Sequence, residues 1–283
     1  MNHPHDGIDD EIREEMERIA REVIEWRKAA EAGQDPALRW KPRFDTEHFT
    51  QDGDKRLVPT SEQVYHDLQL SRGASRPKDL DMEWAFDSPE EAFGKREAVN
   101  TERFEHLMRF LPLVAESNIL EIGVRNAQFL YYLRQKGFQH LAGIDCVRLN
   151  VLWCRKNGFD VQEVDAHELA AHFPPASRDV ILAYHVLEHC YDPGQVLAEC
   201  CAVLKPDGGL QIEVPIGPVD LQTAHCYRFE RGELRAMLKS QGFRVVDCLR
   251  KKDTERVVAK KAPARRRSFF AWLRNALGQG AHE

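Results

Sequence analysis

The most constraining feature of the chain is a short apolar run that ends in a glycine turn. Residues 118–122 read NILEI and lead into Gly123, and a helical pattern follows at once. About twenty residues later a second apolar run, LAGI, ends in Asp145. Strand, glycine turn, helix and a strand that ends in an acid form a nucleotide-binding βαβ unit, in which the acid accepts hydrogen bonds from a ribose diol. The pattern therefore predicts a site for an adenosine-containing cofactor.

The composition is that of a water-soluble chain with one large domain and extensions. It has 283 residues, of which 42% are hydrophobic and 30% charged, with a net charge of −6. An overall negative charge argues against a nucleic-acid partner. The start of the chain shows neither the basic residues nor the apolar run of a signal peptide, and no stretch has the ~18–20 apolar residues of a membrane span. Seven scattered cysteines without a C-x-x-C pair indicate free, buried thiols and a cytoplasmic location.

Residues 1–35 are predicted to form an amphipathic helix. Its apolar positions recur every three or four residues: Ile8, Ile12, Met16, Ile19, Val23, Trp26 and Ala30. The stripe either packs on its own domain or pairs with a second copy in a homodimer.

Two further segments lie outside the predicted core. Residues 36–99, with dispersed prolines and aromatics, are interpreted as an irregular extension or a lid, although Ser88 to Glu91 has the pattern of a helix start. A helix is expected from there, or from Thr101, to Phe110. The basic segment 262–283 combines arginines with Phe269, Phe270 and Trp272, which suits peripheral contact with an anionic membrane, packing on the domain or a loose tail.

From residue 118 onward strand and helix patterns alternate. Strands are predicted at 118–122, 141–145, 161–164, 179–184 and 210–214, and helices at 126–136, 148–157, 193–204 and 230–241. Two closely spaced runs after residue 242, FRVVDCLR and ERVVAKK, predict an antiparallel hairpin. The expected fold class is therefore α/β. It is a Rossmann-like, seven-stranded, mostly parallel sheet with an antiparallel C-terminal hairpin, helices on both faces and an N-terminal helical extension.

Residues 100–261 resemble the domain of class I S-adenosylmethionine-dependent methyltransferases. The resemblance rests on several segments in the right order: ILEIGVRNAQFLYYL, AGIDC, EVDAHEL, DVILAYHVLEHCYDPGQVLAECCAVLKPDGGLQIEVP and HCYRFERGELRAMLKSQGF. It implies S-adenosylmethionine as cofactor and S-adenosylhomocysteine as product. It also implies a set of cofactor-binding residues: Glu121, Gly123, Arg125, Asp145, Cys146, Asp165, Ala166 and Tyr184.

Within that set, the resemblance gives Asp145 the ribose hydroxyls, Asp165 and Ala166 the adenine, and Tyr184 the methionine part. Other interpretations stay open, because Asp145 could cap the next helix, Asp165 could cap the helical turn at residues 167–169, and Tyr184 could belong to the core. The family loop has further glycines two and four positions after Gly123, where this chain has Arg125 and Ala127. Arg125 then points outward, or meets the cofactor's carboxylate, or marks a degraded site.

The segment from His185 to His189 fits H-x-x-E-H, a zinc-protease pattern that needs a helix. A strand is predicted immediately before it, so no metal is expected. The predicted reaction is methyl transfer to a small-molecule, glycan or lipid-linked acceptor. An oxygen acceptor is expected because the chain offers two candidate general bases, His189 and His225. The histidines could instead shape loops. Competing hypotheses are a non-catalytic cofactor-binding or scaffolding protein and a nicotinamide oxidoreductase, although the latter lacks the full G-x-G-x-x-G turn.

Overall fold

The computed structural model describes residues 7–31, 49–52, 56–59, 87–216 and 225–263. The predicted tail from residue 264 onward and most of the predicted lid lie outside these ranges. Within the described ranges, no helix combines the length and apolar character needed to cross a bilayer.

Helices and strands alternate through most of the described chain. The helices are α1 (Ile8–Glu31), α2 (Pro89–Gly94), α3 (Glu97–Phe110), α4 (Gln128–Gln135), α5 (Arg148–Lys156), α6 (Leu169–His172), α7 (Pro193–Val203) and α8 (Glu233–Ser240). The strands are β1 (Phe49–Asp52), β2 (Arg56–Pro59), β3 (Asn118–Ile122), β4 (His140–Asp145), β5 (Val161–Glu163), β6 (Arg178–Tyr184), β7 (Leu204–Pro215), β8 (Phe243–Arg250) and β9 (Thr254–Lys261).

Seven of these strands form one sheet in the order β5-β4-β3-β6-β7-β9-β8. Strands β3 to β7 are parallel, whereas β9 runs antiparallel to both β7 and β8. The order reverses at β3, so the carboxyl ends of β3 and β6 flank the crevice in which open α/β sheets bind ligands. The predicted fold class is confirmed.

The sheet is buried on both faces because alternate side chains of its central strands point to opposite sides. On one face Leu120 and Ile181 join the cluster that contains residues of α7 and α8. On the other, Ile119 and Leu182 join Phe129 in the cluster that covers α3, α4 and α5. Apolar residues at consecutive strand positions are typical of parallel sheets covered by helices on both sides.

The first half of α1 packs on α5. Ile12 is buried against Leu149 and Leu152, and Arg148 of α5 forms an ion pair with Glu11 at 3.0 Å. The apolar stripe thus contacts its own domain over this half. The predicted homodimer remains a prediction.

The structure moves the predicted start of the domain. The boundary at residue 100 falls inside α3, and α2 already belongs to the packed unit, since Phe93 stacks on Tyr132 with ring centroids 4.8 Å apart. The helix start at Ser88 is confirmed by a capping box, in which Ser88 Oγ accepts from Glu91 N and Glu91 Oε2 accepts from Ser88 N. Two short helices therefore replace the single predicted one.

Two strand predictions also need correction. The sequence predicts no strand between residues 36 and 99, whereas β1 and β2 pair as an antiparallel hairpin. Strand β7 begins at Leu204 and not at residue 210, because Leu204 pairs with Arg178 before the chain bulges and pairs again at Gly209 with Val180. The turn signal at residues 206–209 thus marks a bulge within a strand.

A buried ion cluster joins the N-terminal helices to the sheet. Glu213 of β7 accepts hydrogen bonds from Arg103 Nη2 of α3 at 2.6 Å and from Arg256 Nε of β9 at 2.5 Å. All three side chains are buried. Although burial raises the pKa of Glu213, a hydrogen bond from His185 and the two guanidinium groups lower it well below its ordinary value. The carboxylate is therefore ionised and holds two elements that are far apart in sequence.

We expect Glu213→Gln to lower the free energy of unfolding by about 3–5 kcal/mol, because it leaves two buried guanidinium groups without their shared counter-charge. Urea denaturation at neutral pH measures the loss. Glu102→Gln is the matched control, since Glu102 also pairs with Arg256 (3.2 Å) but has 39% of its side chain exposed. Its removal should cost no more than about 1 kcal/mol. Equal losses for the two variants would contradict this account of the cluster.

Candidate functional site

The predicted cofactor residues come together at the carboxyl edge of the sheet. Glu121 lies near the end of β3, Asp145 at the end of β4 and Tyr184 at the end of β6, and these strands are neighbours through β3. The carboxyl ends of parallel strands meet at one edge, so the topology brings Glu121 and Tyr184, 63 positions apart, into one crevice.

The loop after β3 keeps the backbone shape of a glycine loop although it has only one glycine. Gly123 has φ +72°, and Arg125 and Ala127 also adopt left-handed conformations with φ +53° and +55°. The loop is tied to β4, because Gly123 N donates to Ile144 O at 2.8 Å and Arg125 N donates to Asp145 Oδ2 at 2.9 Å. Arg125 and Ala127 therefore stand where the family has glycines, but their backbones adopt the left-handed conformation that glycine favours.

The side chains of Arg125 and Ala127, at the two replaced glycine positions, lie in different environments. Arg125 is exposed and Ala127 is buried in the core. Exposure agrees both with an outward-pointing side chain and with one that meets the cofactor's carboxylate, so the contact of Arg125 with the cofactor stays a prediction. Asp145 fixes the turn after β4, since its Oδ1 also accepts from Val147 N at 2.9 Å and from Asn150 Nδ2 at 3.2 Å. It is not the cap of the next helix, because the N-cap of α5 is Val147. Contact of Asp145 with a ribose stays a prediction.

Asp165 is the N-cap of the 3₁₀ turn that follows β5. Its Oδ1 accepts from His167 N at 2.9 Å and lies 2.6 Å from His167 Nδ1, which fixes the 3₁₀ turn that begins with the buried Ala166. The His167 ring stacks on Tyr191 with centroids 4.0 Å apart. These contacts form a flat wall beside β5, and adenine binding by Asp165 and Ala166 stays a prediction.

Two other predicted residues lie at the margin of the crevice. The Tyr184 ring packs edge-on against Phe129 at 5.0 Å, and its hydroxyl donates to Gln211 Oε1. These contacts match the core interpretation of Tyr184. Cys146 follows β4 and is half-buried. Burial and the charge of Asp165 raise the pKa of the Cys190 thiol, and Cys146 adds to this rise. All seven cysteines are free thiols, as expected.

Glu121 is the buried acid of the site. Its Oε2 has no hydrogen-bond partner among the described residues. Burial raises the pKa of this carboxyl from 4.5 to about 8, and the nearby charge of Arg103 opposes the rise. At neutral pH the protein thus keeps a protonated carboxyl that would ionise if a cationic group approached.

The two candidate bases meet in space. The rings of His189, which follows β6, and His225, which follows β7, are 4.8 Å apart and nearly perpendicular. His189 Nε2 lies 3.8 Å from Oε1 of Glu188, a carboxylate buried almost completely. The residues from Leu187 to His189 form a single 3₁₀ turn, so the helix required by the protease pattern is not formed.

His185 joins this histidine pair to the buried ion cluster. Its Nδ1 lies 3.3 Å from Glu188 Oε1 and its Nε2 lies 3.1 Å from Glu213 Oε1. Burial lowers its pKa, but the hydrogen bonds to both carboxylates outweigh burial and raise it to about 9. The sequence analysis missed the roles of Arg103 and Glu213. Glu213 was visible as an isolated acid in the apolar run QIEVP.

We expect Arg125→Gly to stabilise the protein by about 1 kcal/mol, because a glycine adopts φ +53° without the steric cost that an L-residue incurs there. Gln135→Gly, at an exposed position of α4 with right-handed helical backbone, is the matched control and should destabilise by roughly 0.5–1 kcal/mol. Thermal or urea unfolding shows for each variant whether the free energy of unfolding rises or falls. Destabilisation by Arg125→Gly would show that its side chain outweighs the backbone strain.

Glu121→Gln should change how stability depends on pH. Between pH 4.5 and about 8 the folded protein holds a proton on Glu121 that the unfolded chain releases, so wild-type stability falls as the pH rises. The amide removes this dependence. We therefore expect Glu121→Gln to exceed the wild type by about 4 kcal/mol at pH 8 and by only about 1 kcal/mol at pH 5. Urea titrations at both pH values test this, and a difference independent of pH would refute the buried protonated acid.

Comparison with known proteins agrees with this geometry. Residues 120–212 match the family model described as methyltransferase domain. A protein of Mycolicibacterium smegmatis named "Probable S-adenosylmethionine-dependent methyltransferase" is 34% identical over 83 residues, which cover 27% of this chain and 32% of that protein. A ubiquinone biosynthesis O-methyltransferase of Albidiferax ferrireducens is 29% identical over 117 residues, covering 39% of this chain and 45% of that protein.

The matched segments thus span about a third to a half of the length of these relatives. Among solved structures, that of the (4+2)-cyclase SpnF superposes with a TM-score of 0.53 at 15% identity, covering 59% of this chain and 82% of the cyclase. This likeness concerns the fold alone. Together with the strand order and the loop after β3, the matches show that residues 120–212 belong to a methyltransferase domain of the class I S-adenosylmethionine-dependent family.

Proposed function

We propose that this protein transfers a methyl group from S-adenosylmethionine to an oxygen atom of a small-molecule acceptor, free or linked to a glycan or lipid. The observation that carries the proposal is the left-handed loop from Gly123 to Ala127, which lies at the same edge of the sheet as the paired imidazoles of His189 and His225. Cofactor loop and proton acceptors are thus held by neighbouring strands.

The described residues fit the cofactor. At Gly123 an added Cβ would lie 2.6 Å from Val186 Cγ2, so the loop after β3 can pack this closely on the segment after β6 only because Gly123 has no side chain. Glu121 Oε2 is a buried acceptor without a partner, suited to the cationic amino group of the methionine part. The flat pair of His167 and Tyr191 lies beside Asp165, where an adenine would be held.

An oxygen acceptor is supported by two considerations. Curated relatives from Albidiferax and Bordetella are named ubiquinone biosynthesis O-methyltransferases. A hydroxyl acceptor must lose its proton as the bond to carbon forms, and an imidazole beside a carboxylate is a suitable base. The cluster of Glu188, His189 and His225 supplies such groups.

When bound, S-adenosylmethionine supplies an electrophilic methyl group on a sulfonium. The residues of the chain contribute positioning. Asp145 holds the loop after β3 in place, and Glu121 offers an acceptor for the amino group of the methionine part. The acceptor oxygen, the methyl carbon and the sulfur can then be aligned. One imidazole of the pair takes the proton of the acceptor hydroxyl and passes it to solvent. The products are the methyl ether, S-adenosylhomocysteine and one proton.

Gly123→Ala should weaken the binding of S-adenosylmethionine by about 10-fold or more, because the methyl group clashes with Val186 and strains the loop. Isothermal titration calorimetry measures the effect. Gly137→Ala is the matched control: it imposes a similar strain at φ +90°, but nothing lies within 4 Å of its Cβ and it is remote from the crevice. Equal affinity for wild type and Gly123→Ala would contradict this placement of the cofactor.

Turnover is tested by the release of S-adenosylhomocysteine with a panel of phenols, catechols, sugars and lipid-linked glycans. Release that depends on an oxygen acceptor supports the proposal. Tight cofactor binding without release for any acceptor would favour the alternative, a non-catalytic protein that binds S-adenosylmethionine or S-adenosylhomocysteine.

A further inference from the structure

We propose that Glu188, His189 and His225 form a binding site for a divalent transition-metal ion, with Zn²⁺ as the best-suited ion. One potential ligand atom from each of the three residues lies within 4.8 Å of the others. Two imidazoles and one carboxylate make up a ligand set that zinc uses in catalytic sites, with a remaining position open for water or substrate. The proposal goes beyond methyl transfer, since zinc binding does not depend on the cofactor.

The distances allow coordination after a small rearrangement. Ligands at ~2.0–2.2 Å from a tetrahedral zinc are separated from each other by roughly 3.3–3.6 Å. His189 Nε2 and Glu188 Oε1 are already 3.8 Å apart. A contraction by about 1 Å, through side-chain torsions of His225, would bring the widest pair into range.

Independent support comes from the carboxylate of Glu188. The residue is only 1% exposed, and neither of its side-chain oxygens accepts a hydrogen bond from the described residues. A buried carboxylate without hydrogen bonds is costly, and proteins retain such groups when they are paired or coordinate a metal. The nearest charged partner is His185, whose Nδ1 lies 3.3 Å from Oε1. This pairing involves Oε1 alone, so Oε2 remains a buried oxygen without a hydrogen-bond partner among the described residues and is positioned for a ligand.

The backbone holds the two ligand segments together. Tyr227 N donates to Glu188 O at 2.9 Å, which fixes the chain after β7 against the 3₁₀ turn after β6. Within that turn His189 N donates to Val186 O at 2.9 Å. The positions of His189 and His225 are therefore set by main-chain bonds, and a metal would not have to assemble the site from mobile segments.

The site differs from the one that the H-x-x-E-H pattern predicts. In that pattern the first and last histidines bind the metal from one face of a helix. Here His185 has φ +58° and extends toward Glu213, at 3.1 Å. The second imidazole comes instead from His225, thirty-six positions after His189. His185 lies between Glu188 and Glu213 and orients the metal-binding carboxylate.

A role for the ion in catalysis rests on the proposed function. An acceptor hydroxyl bound at the open position would lose its proton to water more readily, because the cation stabilises the alkoxide or phenolate. The oxygen would then attack the methyl carbon as the sulfur–carbon bond breaks. With zinc bound, the two imidazoles serve as ligands and no longer as proton acceptors.

The test is zinc binding by the full chain in the absence of cofactor. Protein stripped with a chelator is incubated with ZnCl₂, passed through a desalting column and analysed for zinc by mass spectrometry, and competition with a chromophoric chelator gives the affinity. We expect one zinc per chain. Glu188→Gln and His225→Ala should each weaken binding by more than about 100-fold, the upper end of the loss for an outer-shell partner. His172→Ala, at an exposed histidine of α6, is the control and should bind as the wild type does.

Circular dichroism shows which variants fold, and the conservative Glu188→Gln change keeps the side-chain shape. The proposal is overturned if the wild type retains no stoichiometric zinc, or if the folded Glu188→Gln and His225→Ala variants bind it as tightly as the control does. Binding of S-adenosylmethionine to the zinc-free wild type is measured separately. Absence of zinc binding with intact S-adenosylmethionine binding would overturn this proposal alone. Zinc binding without S-adenosylmethionine binding would contradict the proposed function alone.

Discussion

The contact on which the remaining structure depends is the carboxylate of Glu213 between the guanidinium groups of Arg103 and Arg256. It joins the helix before the sheet, a central parallel strand and the antiparallel strand β9 at one point. Two buried guanidinium groups would be strongly unfavourable without their shared counter-ion, so the three elements are stable only together. The parallel sheet, its antiparallel edge and the N-terminal helices thus behave as one unit and not as a domain with appended segments.

The same carboxylate connects the fold to the site. His185 contacts Glu213 on one side and Glu188 on the other, so a continuous series of charged groups leads from the core to the pair of His189 and His225. The carboxylates of Glu188 and Glu213 on either side of His185 explain why it keeps a raised pKa despite burial. The polarity of the acceptor side is therefore a property of the folded network and not of the histidines alone.

Much of the fold was predictable because burial on both faces leaves apolar runs in the sequence. Strand β3 has the predicted bounds, 118–122, and the hairpin of β8 and β9 was anticipated from two such runs. The ion cluster was not, since Arg103 and Glu213 are 110 positions apart and no local period links them. The histidine pair was predicted residue by residue, but its gathering around Glu188 depends on a main-chain bond from Tyr227 that no sequence pattern reveals.

The glycine-poor loop shows why a departure from a sequence pattern need not be a departure from the structure. Arg125, Ala127 and His185 all adopt left-handed backbone conformations around the crevice, at a cost of order 1 kcal/mol each. Such conformations persist only where the surroundings fix them. Here Asp145 accepts from Arg125 N, and Glu213 O accepts from His185 N at 2.9 Å. The backbone shape that glycines would adopt freely is instead imposed by hydrogen bonds from neighbouring strands, so the strain lies where the chain must approach a ligand closely.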